Sequence, residues 1–66
     1  MPFRIKELRE EKGWTQEELA IKSGVSRNLI ARLESGSLNS TSTDTLFKLA
    51  DALGTKAKYL FFENDV

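Results

Sequence analysis

Few side chains in this 66-residue chain could do catalytic chemistry. It has no cysteine and no histidine, which excludes a thiolate metal site, a catalytic thiol and the commonest general base. The remaining nucleophiles are serine and threonine hydroxyls without a histidine to activate them. The acidic pairs Glu10–Glu11 and Glu17–Glu18 have the pattern of solvated helix faces. We therefore expect no enzyme, no cofactor and no metal site.

The basic side chains in the middle of the chain offer a different chemistry. Lys22, Arg27 and Arg32 follow one another with no acidic residue among them. The whole chain has ten Lys+Arg against ten Asp+Glu, which argues against strong, sequence-blind binding of nucleic acid. Charges more than about 8 Å apart are largely screened at physiological salt, so a local cluster can still act on nucleic acid. Net neutrality then predicts a shallow salt dependence.

The length and composition predict one small domain, residues 1–66. A chain of this size buries only about 60% of the surface that it exposes when unfolded. With 39% hydrophobic and 30% charged residues, it is not expected to be disordered. No apolar run approaches the roughly 20 residues of a membrane span, and the first residues lack a signal-peptide pattern. We expect a cytoplasmic protein that does not associate with membranes.

Glycines and capping residues divide the chain into helices. Each of the four glycines follows a stretch with apolar residues three and four positions apart, where positive φ would end a helix. Thr15 and Glu18 have the spacing of a capping box, and Ser26 and Ser42 are typical N-caps. A first helix covers about residues 3–12, and a last short one ends in YLFF. The sequence thus predicts a compact all-α fold of five short helices.

The second and third helices are joined by only three residues, 24–26. Helices joined so tightly cross at roughly 90–120°. Ala20 is small enough for the two backbones to approach, and Gly24 allows the turn. Apolar residues on both sides of the turn, and a stripe on the fourth helix, then form the core: Leu19, Val25, Ile30, Leu33, Leu46, Leu49, Ala50 and Leu53. This spacing is typical of a helix-turn-helix.

The stretch WTQEELAIKSGVSRNLIARLESG resembles the helix-turn-helix of the lambda-repressor-like, or XRE, family of phage repressors and bacterial regulators. The positions that follow the family pattern are Gln16, Leu19, Ala20, Gly24, Val25, Ile30, Leu33, Glu34 and Gly36. The resemblance extends to TLFKLADALG and KYLF, so it covers nearly the whole chain. It implies a transcriptional regulator, expected to be a repressor, that binds double-stranded DNA.

The resemblance also implies roles for the third helix, which would lie in the DNA major groove. The positions that read base edges correspond to Arg27, Asn28 and Arg32. Their chemistry suits this role, because arginine donates two hydrogen bonds to guanine and asparagine pairs with adenine. The alternative for the two arginines is that they are ordinary solvated charges. Leu29 could equally contact a thymine methyl group or be partly buried against the second helix.

Contacts to the DNA backbone are expected from uncharged residues. The resemblance assigns such a contact to Gln16, for which a plain first-turn polar role is the alternative, and Ser26 could make another from its cap position. The loop SLNSTS departs from the family pattern because it has no lysine, arginine or proline. We expect its contacts from Ser37 and Asn39, since hydroxyl and N–H groups bind phosphate oxygens.

Arg9 and Glu34 match the family's ion pair between the first and third helices. We expect this pair to fix the geometry of the helices and to read no base.

Aromatic residues near the end of the sequence suggest self-association. Leu60 and one of Phe61 and Phe62 can anchor the last helix, which leaves Tyr59 and Phe47 to face outward. An exposed apolar patch suggests a two-fold dimer, with Tyr59, Phe61 and Phe62 at the interface. Two recognition helices would then lie about 34 Å apart and read half-sites of a palindromic operator. The alternative is that all these side chains complete the core of a monomer.

A second class of function is a protein-interaction module, for example a toxin-neutralising antitoxin with secondary DNA binding. An added segment for the partner would favour it, and only ENDV follows the YLFF of the expected last helix. The sequence therefore favours the DNA-binding homodimer and leaves a protein partner unknown.

Overall fold

The computed structural model describes residues 3–38 and 40–61, without the side chain of Phe61. In this part of the chain the backbone forms five helices and no strand. The helices are α1 (Ile5–Glu11), α2 (Gln16–Ser23), α3 (Arg27–Ser35), α4 (Thr43–Leu53) and α5 (Lys58–Phe61). The predicted all-α, five-helix fold is confirmed.

The predicted caps fix where α2, α3 and α4 begin. The Thr15 hydroxyl accepts the N–H of Glu18, and the Glu18 carboxylate accepts the N–H of Thr15, which completes the capping box. The Ser26 and Ser42 hydroxyls accept backbone N–H groups at the starts of α3 and α4. Because these bonds satisfy donors that the helix itself cannot, they define its first turn.

The turn between α2 and α3 depends on Gly24. Its φ of 77° lies in the left-handed region, and its N–H donates to the carbonyl of Ala20 at 2.9 Å. This ends α2, and two residues later Ser26 caps α3. The other three glycines also have positive φ, as predicted from the sequence.

The core lies where α2 packs against α3 and α4, and where α1 packs against the same two helices. All eight predicted core residues are buried. The structure adds Phe3 and Ile5 to them, and Leu60, which was expected to anchor the last helix, is also buried. The N–H of Arg4 donates to the carbonyl of Leu60, which joins the start of α1 to α5. The helix-turn-helix is therefore supported on one side by the rest of the domain.

Two of the aromatic residues expected to face outward do so. Tyr59 is 47% exposed and Phe47 is 59% exposed, whereas Leu60 is fully buried. Phe62 and the side chain of Phe61 lie outside the described residues.

Among the helices that are described, none is long and apolar enough to cross a membrane.

Candidate nucleic-acid interface

The exposed face of α3 carries the three residues expected to read bases. Successive helical residues differ by about 100°, so Arg27, Asn28 and Arg32 fall within about 140° of the helix circumference. All three are exposed. On the opposite side, Ile30 and Leu33 are fully buried and hold the helix against the core. The three side chains therefore form one exposed stripe on α3, and base reading stays a prediction.

The two guanidinium groups on this face are available to a ligand. In the part of the chain that the structure describes, neither Arg27 nor Arg32 forms an ion pair. The first turn of α3 contains no acidic residue that could repel an anion. An arginine without a carboxylate partner keeps its fork of donors for the O6 and N7 acceptors of guanine.

Ser26 lies exposed at the start of this face. Its oxygen accepts the N–H of Leu29 at 3.0 Å, so the hydroxyl has a structural role as the N-cap of α3. Leu29 is half-buried and packs against the core, which agrees with the partial burial considered for it. The rest of its side chain remains exposed, and its thymine contact stays a prediction.

The Arg9–Glu34 pair forms, as predicted, between α1 and α3. Arg9 Nε donates to Glu34 Oε2 at 2.8 Å, and Arg9 Nη2 donates to Glu34 Oε1 at 3.0 Å. Both residues are buried, with Glu34 only 5% exposed. The hydrogen bonds to Glu34 raise the pKa of Arg9 above its ordinary value, although desolvation acts in the opposite direction. Two parallel N–H to oxygen hydrogen bonds of this kind are among the strongest side-chain contacts.

Gln16 is the first residue of α2 and lies beside this ion pair. Its amide Nε2 donates to Glu34 Oε1 at 3.0 Å, and the side chain is half-buried. One carboxylate therefore accepts hydrogen bonds from both α1 and α2. The amide has a second N–H that it can still donate. The contact of Gln16 with the DNA backbone stays a prediction.

The loop after α3 begins with a short run of hydroxyl contacts. The Ser37 hydroxyl lies 3.0 Å from that of Ser35, and the Ser37 N–H donates to the Ser35 hydroxyl at 3.3 Å. Ser37 is exposed, so a phosphate oxygen could reach it. Asn39 lies outside the described residues, and its contact, like that of Ser37, stays a prediction.

Two further residues lie at the edge of this surface and were not predicted from the sequence. Lys6 and Ser35 border a shallow depression of about 230 Å³, whose lining also includes Arg9, Gln16 and Glu34. A signal for both was present, because Lys6 precedes Arg9 by three residues and Ser35 follows Arg32 by three. Residues at this spacing are neighbours on a helix surface.

Lys22 forms a cation–π contact that was not predicted from the sequence. Its ammonium lies 4.9 Å from the centre of the Trp14 ring, and that of Lys12 lies 5.4 Å from the same ring. Such cation–π contacts are worth roughly 0.5–1 kcal/mol at exposed sites. Lys22 is thus directed toward Trp14, and the free charges of α3 itself are those of Arg27 and Arg32.

Among the described residues, no group of acidic side chains is arranged to hold a metal ion.

Comparison with known proteins agrees with this arrangement. Residues 5–60 match a protein family described as helix-turn-helix. The chain is 51% identical over 47 residues to an uncharacterised HTH-type transcriptional regulator of Sinorhizobium fredii, a match that covers 71% of this chain and 60% of that protein. It is 42% identical over 65 residues to an uncharacterised HTH-type transcriptional regulator of Archaeoglobus fulgidus, covering 98% of this chain and 91% of that protein. The chain belongs to the lambda-repressor-like, or XRE-type, helix-turn-helix family of DNA-binding transcriptional regulators.

Proposed function

We propose that this protein is a sequence-specific repressor that binds a palindromic operator as a homodimer, with α3 in the major groove. The observation that carries this proposal is the face of α3 that bears Arg27, Asn28 and Arg32. These side chains are exposed, the arginines have no carboxylate partner among the described residues, and the other side of the helix is fixed in the core. A rigid helix with free donors is what recognition of base edges requires.

The contacts divide into two chemical classes. Arg27 and Arg32 donate to guanine, and Asn28 pairs with adenine; these contacts distinguish sequences. The uncharged residues hold the DNA backbone and set the register of the helix in the groove: Gln16, Ser26, Ser37 and Asn39. Hydrogen bonds from such groups to phosphate oxygens position a protein without reading the sequence.

The proposed dimer places α5 of one subunit against α5 of its copy. Tyr59 is exposed there, and so is Phe47. Phe47 lines a groove with Ala50 and Ala57, and the charged residues Asp51, Lys56 and Lys58 also border it. Aromatic surface of this kind supports a self-complementary contact, to which Phe61 and Phe62 would add. One recognition helix reads few base pairs, so two related by a two-fold axis give the longer, palindromic site.

Repression is the regulatory outcome that this binding mode supports. A dimer across one operator can exclude other proteins from the same DNA by occupancy, and this needs nothing beyond the single domain of residues 1–66. The proposed site of action is the cytoplasm.

Selection of binding sites from random duplex DNA tests the proposal. We expect a palindromic motif whose half-sites have centres about 10 bp apart. The double variant Arg27→Ala/Arg32→Ala should recover no motif, while Lys48→Ala should recover the wild-type one. Lys48 is a suitable control because it lies on α4 and pairs with Asp44. Recovery of no motif by the folded wild-type protein would contradict the proposal.

A further inference from the structure

Three helices meet at the carboxylate of Glu34. It belongs to α3 and accepts two hydrogen bonds from Arg9 of α1 and one from Gln16 of α2. We call Arg9, Glu34 and Gln16 the carboxylate bridge. The ion pair holds α1 against α3, whereas the bond to Gln16 is what reaches the start of α2.

The backbone at the start of α2 is already fixed without Gln16. Arg9 Nη1 donates to the Trp14 carbonyl at 2.7 Å, and the Trp14 N–H donates to the Arg9 carbonyl at 3.2 Å. The capping box of Thr15 and Glu18 then sets the first turn. The hydrogen bond from Gln16 to Glu34 is therefore not needed to place the helix, and its effect is to choose the direction of one side chain.

A glutamine side chain without such a partner has many rotamers, and ordering them costs free energy when a ligand binds. Glu34 removes most of this cost by holding one N–H of the Gln16 amide, while the other N–H stays able to donate. Arg9 neutralises the carboxylate, so no net negative charge lies behind the amide to repel a phosphate. The carboxylate bridge thus provides an oriented N–H of Gln16 beside an ion pair without net charge.

We propose that Glu34, held by Arg9, is a positioning residue for Gln16, whose amide it directs toward a phosphate of the DNA backbone. The inference rests on the proposed function, because it concerns how the same protein binds duplex DNA. Glu34 itself contacts no DNA. Its second role is to connect the backbone contact at the start of α2 to α3, the helix that reads the bases.

NMR of the Gln16 side chain tests this directly, because Gln16 is the only glutamine in the chain. In the free protein its amide should be ordered, with an order parameter near that of rigid backbone, whereas the exposed Asn28 amide should be mobile. Adding operator duplex should shift one of the two Gln16 amide protons more than the other. A Gln16 amide as mobile as that of Asn28 in the free protein would overturn the proposal.

A mutant cycle gives a second, independent test. Replacing the pair by apolar residues, Arg9→Met/Glu34→Leu, is compatible with folding, since buried ion pairs are often replaced without loss of stability. Because the variant also loses the bond from Arg9 to the Trp14 carbonyl, unchanged backbone amide shifts of Thr15 and Glu18 are required to show that the start of α2 has not moved. In the wild-type background, Gln16→Ala should weaken binding about two- to tenfold, equally on operator and random duplex, with unchanged salt dependence. In the Met/Leu background, binding should already be weaker by that factor, and Gln16→Ala should have no further effect.

An equal effect of Gln16→Ala in both backgrounds would show that Glu34 does not position it. Folding of each variant is checked by circular dichroism and urea unfolding, and if the Met/Leu variant fails to fold, the NMR measurement on the wild-type protein decides. Failure of the proposed function is a different result: the wild-type protein, with an ordered Gln16 amide, would bind no duplex DNA.

Discussion

At the scale of single residues, exposure separates the side chains proposed to contact DNA from those that hold the helices. Arg9 and Arg27 are both arginines, yet Arg9 is buried and its N–H groups donate to the Glu34 carboxylate and the Trp14 carbonyl. Arg27 is exposed and has no ion-pair partner in the described residues. The neighbouring carboxylate makes the difference: it binds the guanidinium of Arg9, whereas that of Arg27 remains available for the proposed contact with a base.

The substitution Arg27→Ala removes one of these free guanidinium groups. We expect it to cost about 1–3 kcal/mol of binding free energy on the operator and to relax the preference at one base pair in each half-site. Stability should be nearly unchanged, because the side chain is exposed. Site selection with the variant, followed by titration of operator and random duplexes, measures both effects. An equal loss of affinity on every duplex would show that Arg27 contacts phosphate.

At the scale of elements, the turn between α2 and α3 is set by the backbone of Gly24. Nothing lies within 4 Å of the position that a Cβ would take there, so a larger residue is opposed only by its φ of 77°. We expect Gly24→Ala to destabilise the protein by about 1–2 kcal/mol, the cost of the left-handed conformation for an L-residue. Gly24→Asn should cost less, because asparagine tolerates this conformation. Urea unfolding compares the two, and equal stability of Gly24→Ala and the wild type would contradict the explanation.

Elements of this kind could be predicted from the sequence because their causes are local. The capping box needs only Thr15 and Glu18 three residues apart, and the helix ends need only a glycine at the right place. The hydrogen bond from Gln16 to Glu34 could not be predicted from spacing, because its two residues are 18 positions apart and meet only after α2 and α3 have packed. The contact of Lys22 with Trp14 was not predicted either, because it depends on how the residue before the N-cap of α2 lies against that helix.

At the scale of the whole molecule, the aromatic surface near α5 determines the expected state of association. Sedimentation of the full chain should give a dimer at micromolar concentration. Tyr59→Glu should shift it toward monomer, because the variant places a charge in the proposed apolar contact. Operator binding should weaken with it, while binding to a single half-site should not. Ile21→Glu is the matched control, since Ile21 is exposed on α2 and is not part of the proposed dimer contact. A wild-type protein that sediments as a monomer would contradict the dimer.

The balance of charges over the whole molecule predicts how binding depends on salt. Neutralising each phosphate contributes about −0.9 to the slope of log K against log salt concentration. In the proposed complex Arg27 and Arg32 are directed to bases, Lys22 lies over Trp14, and the backbone contacts come from uncharged groups. The positive charges of Arg27 and Arg32 inside the groove still displace counterions, equivalent to one or two neutralised phosphates per subunit, which gives a slope between about −2 and −4 for the dimer. Titration of operator DNA at several salt concentrations measures it. A slope steeper than about −6 would mean that lysines and arginines hold the phosphates, and that recognition depends less on base contacts than on charge.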